Sequence, residues 1–300
     1  MAELGRLLTA MVTPMRADGS LDVAQAQRLA AALLESGSDG LVIAGTTGES
    51  PTLEFEEERT LFRELLPICR ERSACLVAGT GSNSTRTAIE ASQRAEEIGV
   101  DALLLVVPYY NKPSQDGLYQ HFRAVAESVS LPCIMYNVPS RTAVSMSAET
   151  QLRLAHDLPN IRGAKEASGD LDLIGALIDG APDGFRVWSG NDGDTLPILA
   201  LGGYGVVSVI SHLVGRQVRA LLDAFLRDDR DEAARIHRSL IPLTKAMFLV
   251  GNPVPLKYAL NQVGFSVGPP RLPLAEPDEA TAAQIRAELE RARIDLPLPV

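Results

Sequence analysis

Short runs of consecutive apolar residues alternate along this chain with longer stretches in which apolar residues recur every three or four positions. The first kind reads as strands buried on both faces, the second as amphipathic helices. Strand-length runs occupy 7–12, 40–44, 76–78, 102–107, 133–136, 161–164, 185–188 and 205–209. Between them, helical period covers segments such as 23–35, 56–72, 85–98, 117–127 and 171–178. After the last strand run the pattern changes to helices alone, over 216–227, 231–248, 255–263 and 278–293. Strand-then-helix units repeated without a break in composition predict an α/β fold of the (β/α)8 or TIM barrel type rather than a doubly wound sheet. The expected organisation is a catalytic barrel over 1–212 and a C-terminal helical extension over 213–300 packed on it. The proline-rich stretch GFSVGPPRLPLAEP is followed by too few residues for a separate core.

Composition narrows the function classes. An apolar content of 46% with 22% charged residues supplies a sizeable core. Acidic residues outnumber basic ones, 38 to 28, leaving no basic surface for phosphate backbones, so nucleic acid is not an expected partner. The N-terminal MAELGRLLTAMVTPM is too short and badly flanked for a signal peptide, and no run approaches the roughly 20 apolar residues of a membrane span. The expected location is cytoplasmic, without a membrane partner. Cys69, Cys75 and Cys133 lack C-x-x-C spacing and read as small apolar fillers in a reducing compartment. His121, His156, His212 and His237 lack ligand spacing, so neither a metal nor another cofactor is expected.

In such barrels chemistry gathers at the C-terminal ends of the strands. One residue there breaks the apolar pattern. In GAKEASG, residues 163–169, Lys165 stands where burial is expected. One reading is a solvated strand end in which Lys165 pairs with Glu166 or another acid. The other is a desolvated lysine, since burial favours the neutral amine, and that amine can attack a carbonyl. GTTGES at 45–50 offers turn N–H groups and the hydroxyls of Thr46 and Thr47 for a carboxylate. Tyr136 offers a phenol for proton transfer, and Arg141 a fork for a second carboxylate. Each residue also has an ordinary reading: a packed tyrosine, a solvated arginine, and in GTGSNS a loop lacking the third glycine of a nucleotide cradle. Together they fit Schiff-base chemistry on a keto acid, with a catalytically silent keto-acid-binding barrel as the alternative.

GTTGES, PYYNKPSQDGLYQHF, YNVPSRT, KEASG and NPVPLK together resemble the dihydrodipicolinate synthase (4-hydroxy-tetrahydrodipicolinate synthase) family of pyruvate-dependent class I aldolases, over nearly the whole chain. Sister families, the N-acetylneuraminate lyases and keto-deoxy sugar acid aldolases, share the tyrosine and lysine but usually lack the pair that stands here as Ser140-Arg141. The resemblance implies a lyase that condenses pyruvate with L-aspartate 4-semialdehyde in lysine and diaminopimelate biosynthesis. It implies that Lys165 forms the imine and that Tyr136, Thr46 and Tyr110 relay protons, Tyr110 reaching in from a neighbouring subunit of a homotetramer, a dimer of dimers. Packing of Tyr109 and Tyr110 inside their own chain is the alternative. Thr47 would hold the pyruvate carboxylate and Arg141 that of the semialdehyde, with Gly190 and Val207 lending backbone near the lysine. Ala143 departs from the glycine that family members commonly carry after SRT, which bears on the shape of that loop. In members inhibited by lysine the effector sits at a subunit interface, and the matching positions here are Ser50, Pro51, Phe55, Glu58, Asn83, Thr87 and Tyr109. Ser50, Asn83 and Tyr109 agree with that pattern. Sensitive members commonly have histidine in place of Glu58 and glutamate in place of Thr87, so weak or absent inhibition is expected.

Overall fold

The structure is a computed structural model and describes residues 4–298. Its strands are β1 (Leu7–Ala10), β2 (Gly40–Ile43), β3 (Cys75–Gly79), β4 (Ala102–Val106), β5 (Cys133–Asn137), β6 (Ile161–Glu166), β7 (Arg186–Ser189) and β8 (Gly205–Ser208). They form a closed barrel in sequence order. Between them lie α1 (Val23–Glu35), α2 (Phe55–Glu71), α3 (Thr85–Ile98), α4 (Gln115–Glu127), α5 (Pro139–Thr142), α6 (Ala148–Asp157), α7 (Leu171–Gly180) and α8 (Thr195–Ala200). After β8 come α9 (Ser211–Leu226), α10 (Arg230–Ala246), α11 (Val254–Gln262) and α12 (Glu279–Arg291). The architecture is the (β/α)8 barrel that the alternation predicts.

Local chemistry sets most helix starts. Asp22, Ser84, Ser114, Ser147, Asp170, Asp229 and Asp278 each accept a backbone N–H of the first turn from the N-cap position. β6 runs two residues beyond its apolar run. Lys165 and Glu166 stay in the ladder because Tyr136 and Asn137 on β5, and Trp188 and Ser189 on β7, continue the register on either side.

The residues group into two compact units, Val77–Val207 and residues 4–76 with 208–298. In the first, Gly163 is required by close approach. A Cβ there would lie 2.3 Å from the Arg186 carbonyl oxygen and 2.6 Å from the Trp188 ring, so only glycine lets β6 and β7 pair over that buried indole. In the second, the buried Thr9 hydroxyl bonds those of Ser38 and Ser211 at 2.6 and 2.7 Å, and His212 Nε2 accepts the Val12 N–H at 3.1 Å. Among the described residues no helix is long and apolar enough to cross a membrane, and no group of three or more His, Cys, Asp or Glu side chains is placed to hold a metal ion.

Candidate active site

In a strand successive side chains point to opposite faces, so Lys165 and Glu166 cannot share one environment. Lys165 is buried, 5% exposed, and its Nζ lies 4.1 Å from the centroid of the Tyr136 ring, its cross-strand partner on β5. On its other side stands Trp188, fully buried. Gly190 follows β7, and a Cβ there would lie 3.1 Å from Lys165 Cε and 2.8 Å from Ala167 Cβ. The missing side chain therefore leaves room for the lysine stem. Among the described residues the Lys165 amine has no hydrogen bond or ion pair. The solvated pairing with Glu166 is not formed. Glu166 is fully buried and its carboxylate receives Gln151 Nε2 at 2.6 Å, Ser168 Oγ at 2.8 Å and Asn137 Nδ2 at 3.1 Å. Burial pushes the Glu166 carboxyl pKa up, against these neutral donors. Val207 is buried on β8.

Asn137, next to Tyr136 and facing the other way, ties the loop that carries Arg141. Its Oδ1 accepts the Met146 N–H at 3.0 Å while its Nδ2 reaches both the Met146 carbonyl, at 3.3 Å, and Glu166. One side chain thus closes residues 138–146 into a ring. Within it the four-residue α5 presents Ser140 and Arg141 exposed and buries Thr142, whose hydroxyl donates to the Val144 carbonyl at 2.7 Å. Ala143 ends α5 in the left-handed region at φ 59°. That conformation explains the glycine common in the family, and alanine keeps it here.

Tyr109 and Tyr110 follow β4. Tyr110 has φ 75° and is 88% exposed, so its ring does not pack inside its own chain. Asn111 Nδ2 donates to the Asn83 carbonyl at 2.8 Å, drawing this turn to the start of the α3 segment. There Thr87 Oγ1 donates to Ser84 Oγ at 3.0 Å, so its hydroxyl serves the N-cap.

In the other unit Thr46 and Thr47 sit in the turn after β2, bracketed by left-handed Ala44 (φ 55°) and Glu49 (φ 59°). The turn is held from behind. Thr13 Oγ1 donates to the Gly48 carbonyl at 2.7 Å. Glu49, buried, accepts Lys257 Nζ at 2.7 Å and the Arg271 N–H at 2.8 Å. Lys257 is fully buried in α11 and also donates to the Thr13 and Pro269 carbonyls at 3.0 and 2.8 Å. Burial lowers its pKa, and Glu49 opposes that shift. Asn252 Nδ2 donates to Thr47 Oγ1 at 2.9 Å. Ser50 and Pro51 form a 3-10 turn, and Phe55, 40% exposed, opens α2, whose first turn carries Glu56, Glu57 and Glu58. Arg271 pairs with Glu57 there. Sequence reasoning assigned no role to Asn137, Asn252 or Lys257, and named Glu166 only as a partner for Lys165. Helical spacing does set Lys257 on the stripe of Val254 and Leu260, a local sign of burial.

The sequence pattern of the dihydrodipicolinate synthetase family matches residues 3–292. A 4-hydroxy-tetrahydrodipicolinate synthase from Dehalococcoides mccartyi is 58% identical over 298 residues, 99% of this chain and all of that one. Among solved structures, dihydrodipicolinate synthase from Cyanidioschyzon merolae with lysine bound superposes with a TM-score of 0.94 at 44% identity, covering 96% of this chain and 97% of that one. A monomeric dihydrodipicolinate synthase variant does so with a TM-score of 0.93 at 40% identity, covering 96% of each chain. The chain belongs to the dihydrodipicolinate synthetase family.

Proposed function

We propose that this protein condenses pyruvate with L-aspartate 4-semialdehyde through an imine on Lys165, in lysine and diaminopimelate biosynthesis. The observation that carries the reading is a buried lysine amine without an acidic partner among the described residues, set on the face of the Tyr136 ring. The name and 58% identity of the Dehalococcoides relative support the substrate pair. The amine adds to the keto carbon of pyruvate and water leaves. The imine so formed draws electrons from the adjacent methyl group, which loses a proton and becomes a carbon nucleophile for the aldehyde. The amine of the semialdehyde then replaces Lys165 on the former keto carbon, which closes the ring and frees the enzyme.

In this reading Tyr136, Thr46 and Tyr110 pass the protons, with Tyr110 supplied by a neighbouring copy in a homotetramer built as a dimer of dimers. Its 88% exposure supports an outward role. Thr47 binds the pyruvate carboxylate, Arg141 that of the semialdehyde, and Gly190 and Val207 frame the lysine. The enzyme acts in the cytoplasm. Borohydride added with pyruvate is expected to leave a stable adduct on Lys165, located by peptide mass spectrometry, and an adduct elsewhere or none refutes the imine. Arg141 separates this activity from cleavage of sugar acids. Losing its charge-assisted contact costs about 1.5–3 kcal/mol, so Arg141→Ala should lower turnover with the semialdehyde at least about tenfold while imine trapping persists. Equal native activity on a keto-deoxy sugar acid would overturn the choice of substrate.

A further inference from the structure

A hydroxyl has one proton to give and two lone pairs to offer, so what it already accepts decides what it can still do. Asn252, just before α11, is 6% exposed, and its Nδ2 donates to Thr47 Oγ1 at 2.9 Å. Its own Oδ1 is buried with no hydrogen-bond partner among the described residues. The reverse amide orientation would take the Thr47 proton on Oδ1 and turn both Nδ2 hydrogens into that unpaired position. The orientation seen leaves Oδ1 and one Nδ2 hydrogen unpaired, the reverse both Nδ2 hydrogens, and a carbonyl-type acceptor is the less costly group to leave unpaired, so the orientation seen is the favoured one. With a lone pair occupied by Asn252, and no acceptor for its proton among the described residues, the buried Thr47 hydroxyl is left as a donor. The anchor is firm, because Lys257, in the first turn of α11, holds Glu49 and the Thr13 carbonyl from a fully buried position.

We infer that Asn252 is a positioning residue that fixes Thr47 Oγ1–H as a donor to the carboxylate of the keto acid captured by Lys165. This rests on the reading of Thr47 given above. A carboxylate only accepts, so a hydroxyl already set to donate binds it without first breaking another bond. Asn252 thus acts on pyruvate through Thr47 and has no part in recognition of the aldehyde.

The test is a double-mutant cycle of Asn252→Leu, similar in size and unable to donate, with Thr47→Ala. Pyruvate is titrated with borohydride trapping on Lys165, and steady-state kinetics follow the semialdehyde. Asn252→Leu is expected to raise the half-trapping pyruvate concentration about fivefold. Trapping at saturating pyruvate and the KM for the semialdehyde should change by less than about twofold. In the Thr47→Ala background the Leu substitution should add nothing, because its only route is gone. An unchanged half-trapping concentration in a variant that melts like the native protein, or full additivity in the cycle, overturns the inference. Should Asn252→Leu fail to fold, Asn252→Asp carries the same test, since an acceptor there draws the Thr47 proton away and about a tenfold rise is expected; no rise overturns it. Failure of the underlying reading is distinguishable, because Thr47→Ala alone would then leave pyruvate capture unchanged.

Discussion

Thr87 turns its hydroxyl to Ser84 at 3.0 Å and brings no charge to the start of α3. In family members sensitive to lysine a glutamate commonly stands there and pairs with the effector's ammonium. Without that contact binding should weaken by about 1.5–3 kcal/mol, roughly tenfold to more than a hundredfold. L-Lysine is therefore expected to inhibit weakly or not at all. Initial rates at subsaturating pyruvate check this, and near-complete inhibition below about 1 mM lysine would mean that Glu58 or another group has restored the pairing. His212 gives a residue-scale prediction about stability. Its Nε2 accepts the Val12 N–H, its Nδ1 lies 2.8 Å from the Val209 carbonyl, and burial pushes its pKa down to about 4. The unfolded chain takes up a proton near pH 6.5, the native one only near 4. The contribution is full above pH 6.5 and is lost as pH falls toward 4, about 3 kcal/mol in all. His121, lowered to about 4 by burial, acts with the same sign. Urea unfolding between pH 7.5 and 4.5 should show the decline, and His212→Gln should flatten it in part; an unchanged slope would contradict the assignment.

At the scale of elements, the turn after β2 depends on α11 through one buried ion pair. Lys257→Met would leave Glu49 buried without its cation, a loss of about 3–5 kcal/mol, read from the shift in denaturant midpoint. A loss under about 1 kcal/mol would mean that Glu49 reaches water. Much of the element map is legible in the chain. The observed bounds of α1 and α3, Val23–Glu35 and Thr85–Ile98, coincide with the helical period because Asp22 and Ser84 mark their starts. The apolar run of β6 stops short of the true end, since two charged residues hide a strand that its neighbours extend. α8 is six residues long with Pro197 near its start, too brief to show a period. The partnership of Lys257 with Glu49 spans 208 residues, and no local pattern encodes a contact of that range. The likeness of GTTGES and KEASG to a family brought out the residues that would touch substrate. It left unnamed two amides that hold them, Asn137 and Asn252, and cast Glu166 only as a partner for Lys165, because a polar residue in a loop or at a strand end looks like any other until burial is known.

At the scale of the whole molecule, Tyr110 carries the question. It holds a left-handed backbone and an 88% exposed ring, which is costly for a bulky side chain and gains no packing within the chain. The assembly we propose gives that ring a destination in a neighbour's catalytic set. An interface variant that stays monomeric by sedimentation should keep its barrel, as the monomeric relative with a TM-score of 0.93 shows for this fold, and should lose most of its turnover. Full activity in such a monomer would return Tyr110 to the role of a surface residue. The outward tyrosine also has a kinetic meaning. An enzyme that lends a phenol to its neighbour and borrows one in return has a specific activity set by its own concentration. Serial dilution below the dissociation constant of the assembly should make the rate fall more steeply than the amount of protein, so that each molecule's turnover reports how often it finds another.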